Sequence, residues 1–340
     1  MQTDVINHIR EGLLEKRESL EQWQTTTPEP QKGLQLGEAD ESAVDAQVQV
    51  IETSLDMMEE GVYGICEVCH EAVDDELLQM DFTATVCLGH YTELELRQLE
   101  SELELSQIIQ RAMLPQQVPT IPKYDIAAFS RPAQIVTGDY FDFLHFEDGT
   151  HGFVVADING HGVSAGMLMS SLQTVFHTLT PETDSPVDVL KRINKLYVNN
   201  ISFSTFVTIF FARLDPHART LSYASAGHNP PLLHRRSTEE TSWLRPTGAA
   251  IGLVGDFPYR LESIVLAEGD TLVLYTDGII EAINPQDNEQ FGYDRLLEVV
   301  HQNETAPANE LSQRIRQALN EFTQGAVLED DVTIVVCKVN

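Results

Sequence analysis

Four short turns, each beside an apolar run, carry aspartates whose combined chemistry suits a divalent cation. They contain Asp139, Asp157, Asp277 and Asp330. Buried carboxylates that face one another repel and need a cation to neutralise them. Mg²⁺ and Mn²⁺ prefer oxygen ligands, and two such ions can activate a water for attack on phosphorus. Taken singly, each Asp-Gly pair is also an ordinary turn signal.

A second group of residues has the spacing of a structural zinc site. Cys66, Cys69, Cys87 and His90 follow the pattern Cys-x2-Cys-x17-Cys-x2-His. This pattern predicts one tetrahedral Zn²⁺ without an open catalytic position, with His70 as a rival fourth ligand. The simpler alternative is a set of core cysteines without a metal. The fourth cysteine of the chain alternates with valines near the C-terminus, which predicts a buried core residue.

Composition and charge exclude several classes of protein. The 340 residues favour two domains, and the net charge of −32 argues against a nucleic-acid partner. No apolar run reaches the roughly 18 residues of a membrane span. The first residues carry charges where a signal peptide needs an apolar stretch. We therefore expect a cytoplasmic protein without membrane or nucleic-acid contacts.

Periodicity predicts a helical hairpin at the start of the chain. Residues 5–24 and 42–59 have apolar residues at helical spacing, and the second range follows a coiled-coil pattern. Pro and Gly between them predict a loop. We expect the two helices to pair in antiparallel orientation.

A third helix is predicted over residues 91–114. Leu96, Leu99 and Leu103 occupy heptad positions, whereas Ser106 and Gln110 interrupt the apolar pattern. Three prolines follow and end the helix. The leucines allow two arrangements: pairing with a second copy of the chain, or packing within one chain.

The pattern changes to short β-rich runs after residue 122. Closely spaced strands indicate antiparallel sheets, and helices in pairs between strand groups indicate an α+β layered sandwich. The predicted strands are 124–130, 152–158, 204–215, 220–226, 259–267, 271–276 and 332–339, and the predicted helices are 163–179, 185–200, 293–302 and 308–324.

Residues 120–340 resemble the SpoIIE/RsbU-type branch of the PPM metal-dependent serine/threonine phosphatases. The matching segments are TGDYFDF, VVADINGHGVSAGMLM, YASAGHNPPLL, GDTLVLYTDGIIEAIN and EDDVTIVV. The resemblance implies an α-β-β-α sandwich of two antiparallel sheets with a dinuclear Mn or Mg centre at one edge. It also implies hydrolysis of phosphoserine or phosphothreonine on a regulatory protein, such as a STAS-type anti-sigma-factor antagonist.

The same resemblance assigns roles to individual residues. It implies metal ligation by Asp139, Asp157, Asp277, Asp330 and the backbone carbonyl of Ile158. Beyond these ligands, it suggests that Asp331 assists its neighbour, that Asp142 lies just outside the metal ligands, and that His228 is structural. Thr137 replaces the glycine that this family usually has in the first turn.

The segment around the cysteines resembles the DksA/TraR zinc finger. That family has a helical hairpin before its finger and carries an acidic motif at the hairpin tip, with which it acts on RNA polymerase. At the corresponding loop this chain has Gly37, Asp40 and Ser42, so two of the three motif positions differ. We therefore expect the fold to persist and the polymerase activity to be weak or absent.

Together these patterns predict a regulatory phosphatase in three parts. Residues 1–90 form the hairpin and zinc finger, 91–119 a linker helix that supports a homodimer, and 120–340 the phosphatase domain. Two alternatives stay open. One is an RNA polymerase-binding regulator with an inactive phosphatase-like domain, and the other is a phosphatase for small phosphorylated molecules.

Overall fold

The computed structural model describes residues 2–26, 41–160, 162–180, 185–200 and 206–340. The chain divides into two compact units, Met1–Glu102 and Leu103–Asn340. The boundary between the units falls inside the predicted linker. Within the described ranges, no helix is long and apolar enough to cross a membrane. The hairpin loop with Gly37 and Asp40 lies outside them.

The N-terminal unit is helical apart from its cysteine-bearing loops. Its elements are α1 (Gln2–Thr26), α2 (Glu41–Glu59), α3 (Asp75–Met80), a 3₁₀ turn (Leu88–His90) and the first part of α4 (Glu93–Met113). The short α3 was not predicted. Its six residues are too few to show a helical period.

The first two helices form the predicted antiparallel hairpin. Gln24 near the end of α1 donates a hydrogen bond to Asp45 near the start of α2, at 2.7 Å. Arg10 near the start of α1 lies 4.0 Å from Glu59 at the end of α2. The apolar positions of both helices supply a small core whose buried members are Leu13, Ile51 and Leu55.

The second unit alternates strands and helices. Its strands are β1 (Tyr124–Arg131), β2 (Tyr140–His145), β3 (His151–Ile158), β4 (Val207–Asp215), β5 (Thr220–Ala226), β6 (Leu232–Arg235), β7 (Glu240–Trp243), β8 (Glu262–Val265), β9 (Thr271–Tyr275) and β10 (Val332–Val339). Its further helices are α5 (Gly162–Leu179), α6 (Pro186–Asn200), α7 (Asp277–Ile280), α8 (Gly292–Gln302) and α9 (Ala308–Phe322).

These strands form two five-stranded sheets. One has the order β1-β10-β9-β6-β7 and the other β2-β3-β4-β5-β8. All strand pairs within the sheets are antiparallel. The α+β prediction with antiparallel sheets is therefore confirmed.

Three apolar cores give this unit four layers. The middle core joins the facing sides of both sheets, for example Phe153 and Phe210 with Leu274 and Val335. A second core packs α5 and α6 on the outer side of the β2–β8 sheet. A third packs α8 and α9 on the outer side of the other sheet. The layers are thus helix, sheet, sheet and helix, as expected.

The sequence prediction missed three strands and overextended one. β6 and β7 have four residues each, which is too short for a period-2 pattern to stand out. β2 begins directly after the first aspartate, so in the sequence its residues look like part of that turn. The predicted strand 259–267 is only Glu262–Val265, because this edge strand pairs with β5 alone, over four residues.

Candidate active site and cysteine cluster

The first aspartate turn precedes β2 and is held by hydroxyl groups. Asp139 is buried, and its Oδ2 accepts a hydrogen bond of 2.7 Å from the hydroxyl of Thr276. Its backbone N–H donates to the hydroxyl of Thr137 at 3.0 Å. Thr276 immediately precedes the third aspartate, Asp277, so this contact joins the first turn to the third.

The second turn lies against the first because Gly138 has no side chain. Asp157 and Ile158 end β3, and Ile158 is fully buried. A Cβ added at Gly138 would lie 3.2 Å from the carbonyl oxygen of Ile158 and 3.3 Å from that of Gly160. The glycine therefore permits the close approach of the two turns and brings the Ile158 carbonyl to the edge where Asp139 lies.

A second glycine brings the third and fourth turns together. Asp277 begins α7 at the end of β9, and a Cβ on Gly278 would overlap the backbone oxygen of Asp331, at 2.0 Å. The Thr276 hydroxyl accepts a hydrogen bond from the N–H of Thr333 at 3.0 Å. Asp330 lies exposed in the turn before β10. Glycine is therefore required at position 278, because the Cβ of any other residue would overlap the backbone of Asp331.

The four predicted carboxylates act on one another electrostatically. Burial raises the pKa of Asp139 well above its usual range, and the charge of Asp157 raises it further. Burial also raises the pKa of Asp157, followed by the charges of Asp277 and Asp330. Burial, Asp330 and Glu281 raise the pKa of Asp277 to about 6. The structure therefore brings the four turns to one edge, where their negative charges repel one another.

This donor set fits hard divalent cations. All its members are oxygen ligands, and mutual repulsion of this kind is what Mg²⁺ or Mn²⁺ would neutralise. In the described ranges, no three carboxylates place their oxygens within 4.8 Å of one another.

Asp331 contacts its neighbour, because its backbone N–H donates to Oδ1 of Asp330 at 2.8 Å, and it also binds the first turn. Its carboxylate accepts three hydrogen bonds, from the N–H of Ala133 at 2.7 Å, the hydroxyl of Thr137 at 2.7 Å and the N–H of Gly138 at 2.6 Å. It therefore anchors the first turn to the start of β10. Thr137, which replaces the family's usual glycine, supplies one of these donors.

The carboxylate of Asp142 bonds to residues outside the group of four aspartates. Its carboxylate accepts a hydrogen bond from the hydroxyl of Tyr140 at 2.7 Å and lies 2.7 Å from Nε2 of His177 on α5. The backbone N–H of Phe143 also donates to it. These contacts tie β2 to the helical layer.

His228 supports the strand next to the second aspartate. It is buried, and burial lowers its pKa to about 3, so the ring is neutral. Its Nδ1 lies 2.9 Å from the hydroxyl of Thr208, and that hydroxyl lies 3.5 Å from the carbonyl oxygen of Asp157. Sequence reasoning placed His228 as structural but could not name Thr208, which lies 20 residues away.

The cysteine cluster is assembled as its spacing predicts. The ligand atoms of Cys66, Cys69, Cys87 and His90 all lie within 4.8 Å of one another. Cys87 Sγ is 3.7 Å from Cys69 Sγ and 3.4 Å from His90 Nδ1. His70 is not part of this group. The four atoms fit a tetrahedral ion with sulfur and nitrogen ligands.

Backbone N–H groups around Cys66 favour the thiolate form of its side chain. The backbone N–H of Cys69, followed by those of Cys87 and Val68, lowers the pKa of Cys66 to about 6. The turn is closed by the N–H of His70, which donates to the carbonyl of Cys66 at 2.8 Å. Cys337, by contrast, is buried in the core between the sheets, as predicted.

Two antiparallel sheets between helical layers, with aspartate turns at one edge, define the PPM, or PP2C, class of phosphatase fold. The SiaA-PP2C domain of Pseudomonas aeruginosa shares this fold, with a TM-score of 0.65 and 23% identity over 73% of this chain and 100% of that one. The structure of the RsbU and RsbW domains of Rv1364c from Mycobacterium tuberculosis has a TM-score of 0.57 and 28% identity. It covers 67% of this chain and 63% of that one.

The sequence relationships are more specific. The family model described as Stage II sporulation protein E (SpoIIE) matches residues 147–340. The chain belongs to this SpoIIE family. Phosphoserine phosphatase RsbU of Bacillus subtilis (strain 168) is 28% identical over 274 residues, which are 78% of this chain and 80% of RsbU. The chain is accordingly an enzyme of the protein serine/threonine phosphatase class.

Proposed function

We propose that the second unit hydrolyses phosphoserine or phosphothreonine on a regulatory protein, with two Mn²⁺ or Mg²⁺ ions at the aspartate edge. The ligands in this proposal are Asp139, Asp157, Asp277, Asp330 and the carbonyl of Ile158. The observation that carries it is the meeting of these turns, where burial and neighbouring carboxylates raise the pKa values of Asp139, Asp157 and Asp277. When bound, such ions activate water and offset the charge of the phosphoryl group.

The protein's own contribution is to hold the carboxylates in place. Thr276 fixes Oδ2 of Asp139 by its hydrogen bond, and the hydroxyl of Thr333 also bonds to this carboxylate. Asp331 fixes the backbone of the same turn. Because Asp277 begins α7, its N-terminal N–H groups orient this carboxylate and lower its pKa in part. These fixed positions reduce the reorganisation needed when the phosphoryl group binds.

The names of the relatives support the proposed substrate class. RsbU of Bacillus subtilis is named a phosphoserine phosphatase, and RsbU and RsbW domains occur together in the Mycobacterium tuberculosis protein. A phosphorylated STAS-type anti-sigma-factor antagonist is therefore the substrate that we propose. We also propose that the enzyme acts in the cytoplasm.

The test is Mn²⁺-dependent release of phosphate from phosphoserine proteins of the same cell. We expect hydrolysis that a chelator abolishes and added Mn²⁺ restores. A small aryl phosphate serves as the comparison substrate. Hydrolysis of small phosphates with no activity on any phosphoprotein would favour the alternative of a small-molecule phosphatase.

For the N-terminal unit, we propose a structural zinc module that resembles the DksA/TraR finger and docks a regulatory partner. The support is the Cys66, Cys69, Cys87 and His90 group. We propose one Zn²⁺ per chain, held by these four residues. RNA polymerase binding is the competing role, and inhibition of a sensitive promoter by the full chain, independent of phosphatase activity, would favour it.

We further propose that the chain forms a homodimer through α4. Leu96, Leu99 and Leu103 on this helix are only half-buried. These leucines lie on one face of the helix at heptad spacing, which is typical of a coiled-coil interface, and a second copy of the helix would cover them.

A further inference from the structure

The loop of residues 252–256 presents two consecutive apolar side chains to solvent. Leu253 is 54% exposed and Val254 is 47% exposed. Single exposed apolar residues are ordinary on protein surfaces, whereas adjacent ones are typical of a surface that another molecule covers. The place of the 252–256 loop in the fold indicates which molecule that is.

The 252–256 loop lies at the edge that carries the aspartates. Just before it, Ile251 forms an antiparallel bridge with Val207, the first residue of β4, through backbone hydrogen bonds of 3.0 and 2.8 Å. Val207 also pairs with Ile158, the last residue of β3 and a proposed metal ligand. Because the segment at Ile251 runs antiparallel to β4, the residues that follow it emerge beyond the sheet at the end where Asp157 and Ile158 lie.

A buried asparagine holds the backbone of the 252–256 loop. Asn194 of α6 is only 1% exposed. Its Oδ1 accepts a hydrogen bond from the N–H of Gly252 at 2.9 Å, and its Nδ2 donates to the carbonyl oxygen of Val254 at 2.8 Å. The backbone on both sides of Leu253 is therefore fixed while its side chain stays exposed. A surface fixed in this way loses little conformational entropy when a partner binds.

Electrostatics opposes the approach of a phosphorylated protein to this chain. The chain has a net charge of −32, and each phosphate of a substrate adds about −1.5 to −2 at neutral pH. Long-range repulsion between two acidic molecules slows their association. Apolar area that is buried in the contact supplies an attraction that does not depend on charge.

We propose that the 252–256 loop, through Leu253 and Val254, is a docking surface for the phosphoprotein substrate. Because the chain is an enzyme of the protein serine/threonine phosphatase class, a protein must contact the surface around the aspartate edge. The substrate that fits this loop presents an apolar patch beside its phosphorylated residue. This inference rests on the proposed function and adds the place where the substrate protein is recognised.

The experiment compares the full wild-type chain with the double variant Leu253→Asn, Val254→Asn at saturating Mn²⁺. The probes are a serine-phosphorylated STAS-type antagonist from the same cell and a small aryl phosphate, which has no protein surface. Asparagine removes apolar area without adding charge. The ratio of kcat/KM for the phosphoprotein to kcat/KM for the aryl phosphate should fall about tenfold, mainly through KM for the phosphoprotein. Added salt should leave wild-type phosphoprotein turnover unchanged or raise it, because salt screens the repulsion.

The variant Val265→Asn is the matched control. Val265 is 64% exposed on the edge strand β8 and pairs with Thr220 at the start of β5. Thr220 in turn pairs with Asp215 at the end of β4, so Val265 lies at the end of the sheet far from the aspartates. This variant should keep the wild-type ratio and the wild-type KM.

The outcomes separate the docking surface from the proposed function. An unchanged ratio in the double variant, with a wild type that is active on the phosphoprotein, would overturn the docking surface and leave the proposed function standing. An equal loss in Val265→Asn, or phosphoprotein turnover that falls steeply with salt, would also overturn it. Wild-type hydrolysis of the aryl phosphate without any hydrolysis of the phosphoprotein would refute the proposed function and the docking surface with it.

Discussion

Replacing one metal-site aspartate by asparagine should remove activity and yet stabilise the metal-free protein. At Asp277 the charged form is disfavoured by burial and by the neighbouring charges of Asp330 and Glu281. Asp277→Asn removes a proposed ligand together with this repulsion. The two effects are separable, because activity requires metal and the melting temperature can be measured without it.

The magnitude follows from the shifted pKa. A folded-state pKa of about 6 against a usual 3.8 corresponds to roughly 3 kcal/mol of cost at neutral pH. Asp277 is partly exposed, and solvent screening reduces this to on the order of 1–2 kcal/mol. For a domain of this size, that gain raises the melting temperature by about 2–6 °C.

The same shift predicts a pH dependence with a definite sign. Between pH 4 and pH 6 the unfolded chain loses the Asp277 proton while the folded chain keeps it. The folded state therefore binds more protons, and stability falls as the pH rises through this window. The free energy of unfolding of the metal-free wild type should therefore decrease from pH 4 to pH 6. The Asp277→Asn variant should lack this decrease.

The assay is thermal melting in chelator, at pH 4 and pH 7, beside Mn²⁺-dependent phosphatase turnover. Asp294→Asn is the matched control, because Asp294 is exposed in the first turn of α8. Removing that charge should lower stability slightly through the helix dipole and leave activity intact. Wild-type turnover in Asp277→Asn, or a melting temperature below that of the wild type in chelator, would refute the reasoning.

Three further outcomes are expected. Asp331→Asn should lower metal-free stability by about 3 kcal/mol in denaturant unfolding, because an amide cannot accept all three hydrogen bonds; an unchanged midpoint would contradict this. Metal analysis of the full chain should find one Zn²⁺, and Cys87→Ser should lose it. Leu99→Glu with Leu103→Glu should give monomers in light scattering with altered specific activity, whereas a wild type that is monomeric at every concentration would exclude the dimer.

The layered fold and the residues of the two candidate sites could be predicted from the sequence. The reason is that both show as patterns among residues close together in the chain. The period of apolar residues gave the hairpin and most strands, and the helix–sheet order gave the sandwich. Cys66 and Cys69 must bind an ion from one turn, so their spacing in the sequence is enough to predict the zinc site. The resemblance to a phosphatase family then pointed to the aspartate turns, which the structure gathers at one edge.

Only the tertiary structure decided how those turns are held. Asp331 bonds to Thr137 across 194 residues of sequence, and Gln110 bonds to the same residue across 27. In the sequence, Gln110 was merely a polar break in a heptad pattern, and Asp331 a second acidic residue in a turn. Hydrogen bonds between distant segments depend on which backbone groups the sheets leave unpaired, and no local spacing encodes that. The folded chain alone shows that these two residues support Asp139.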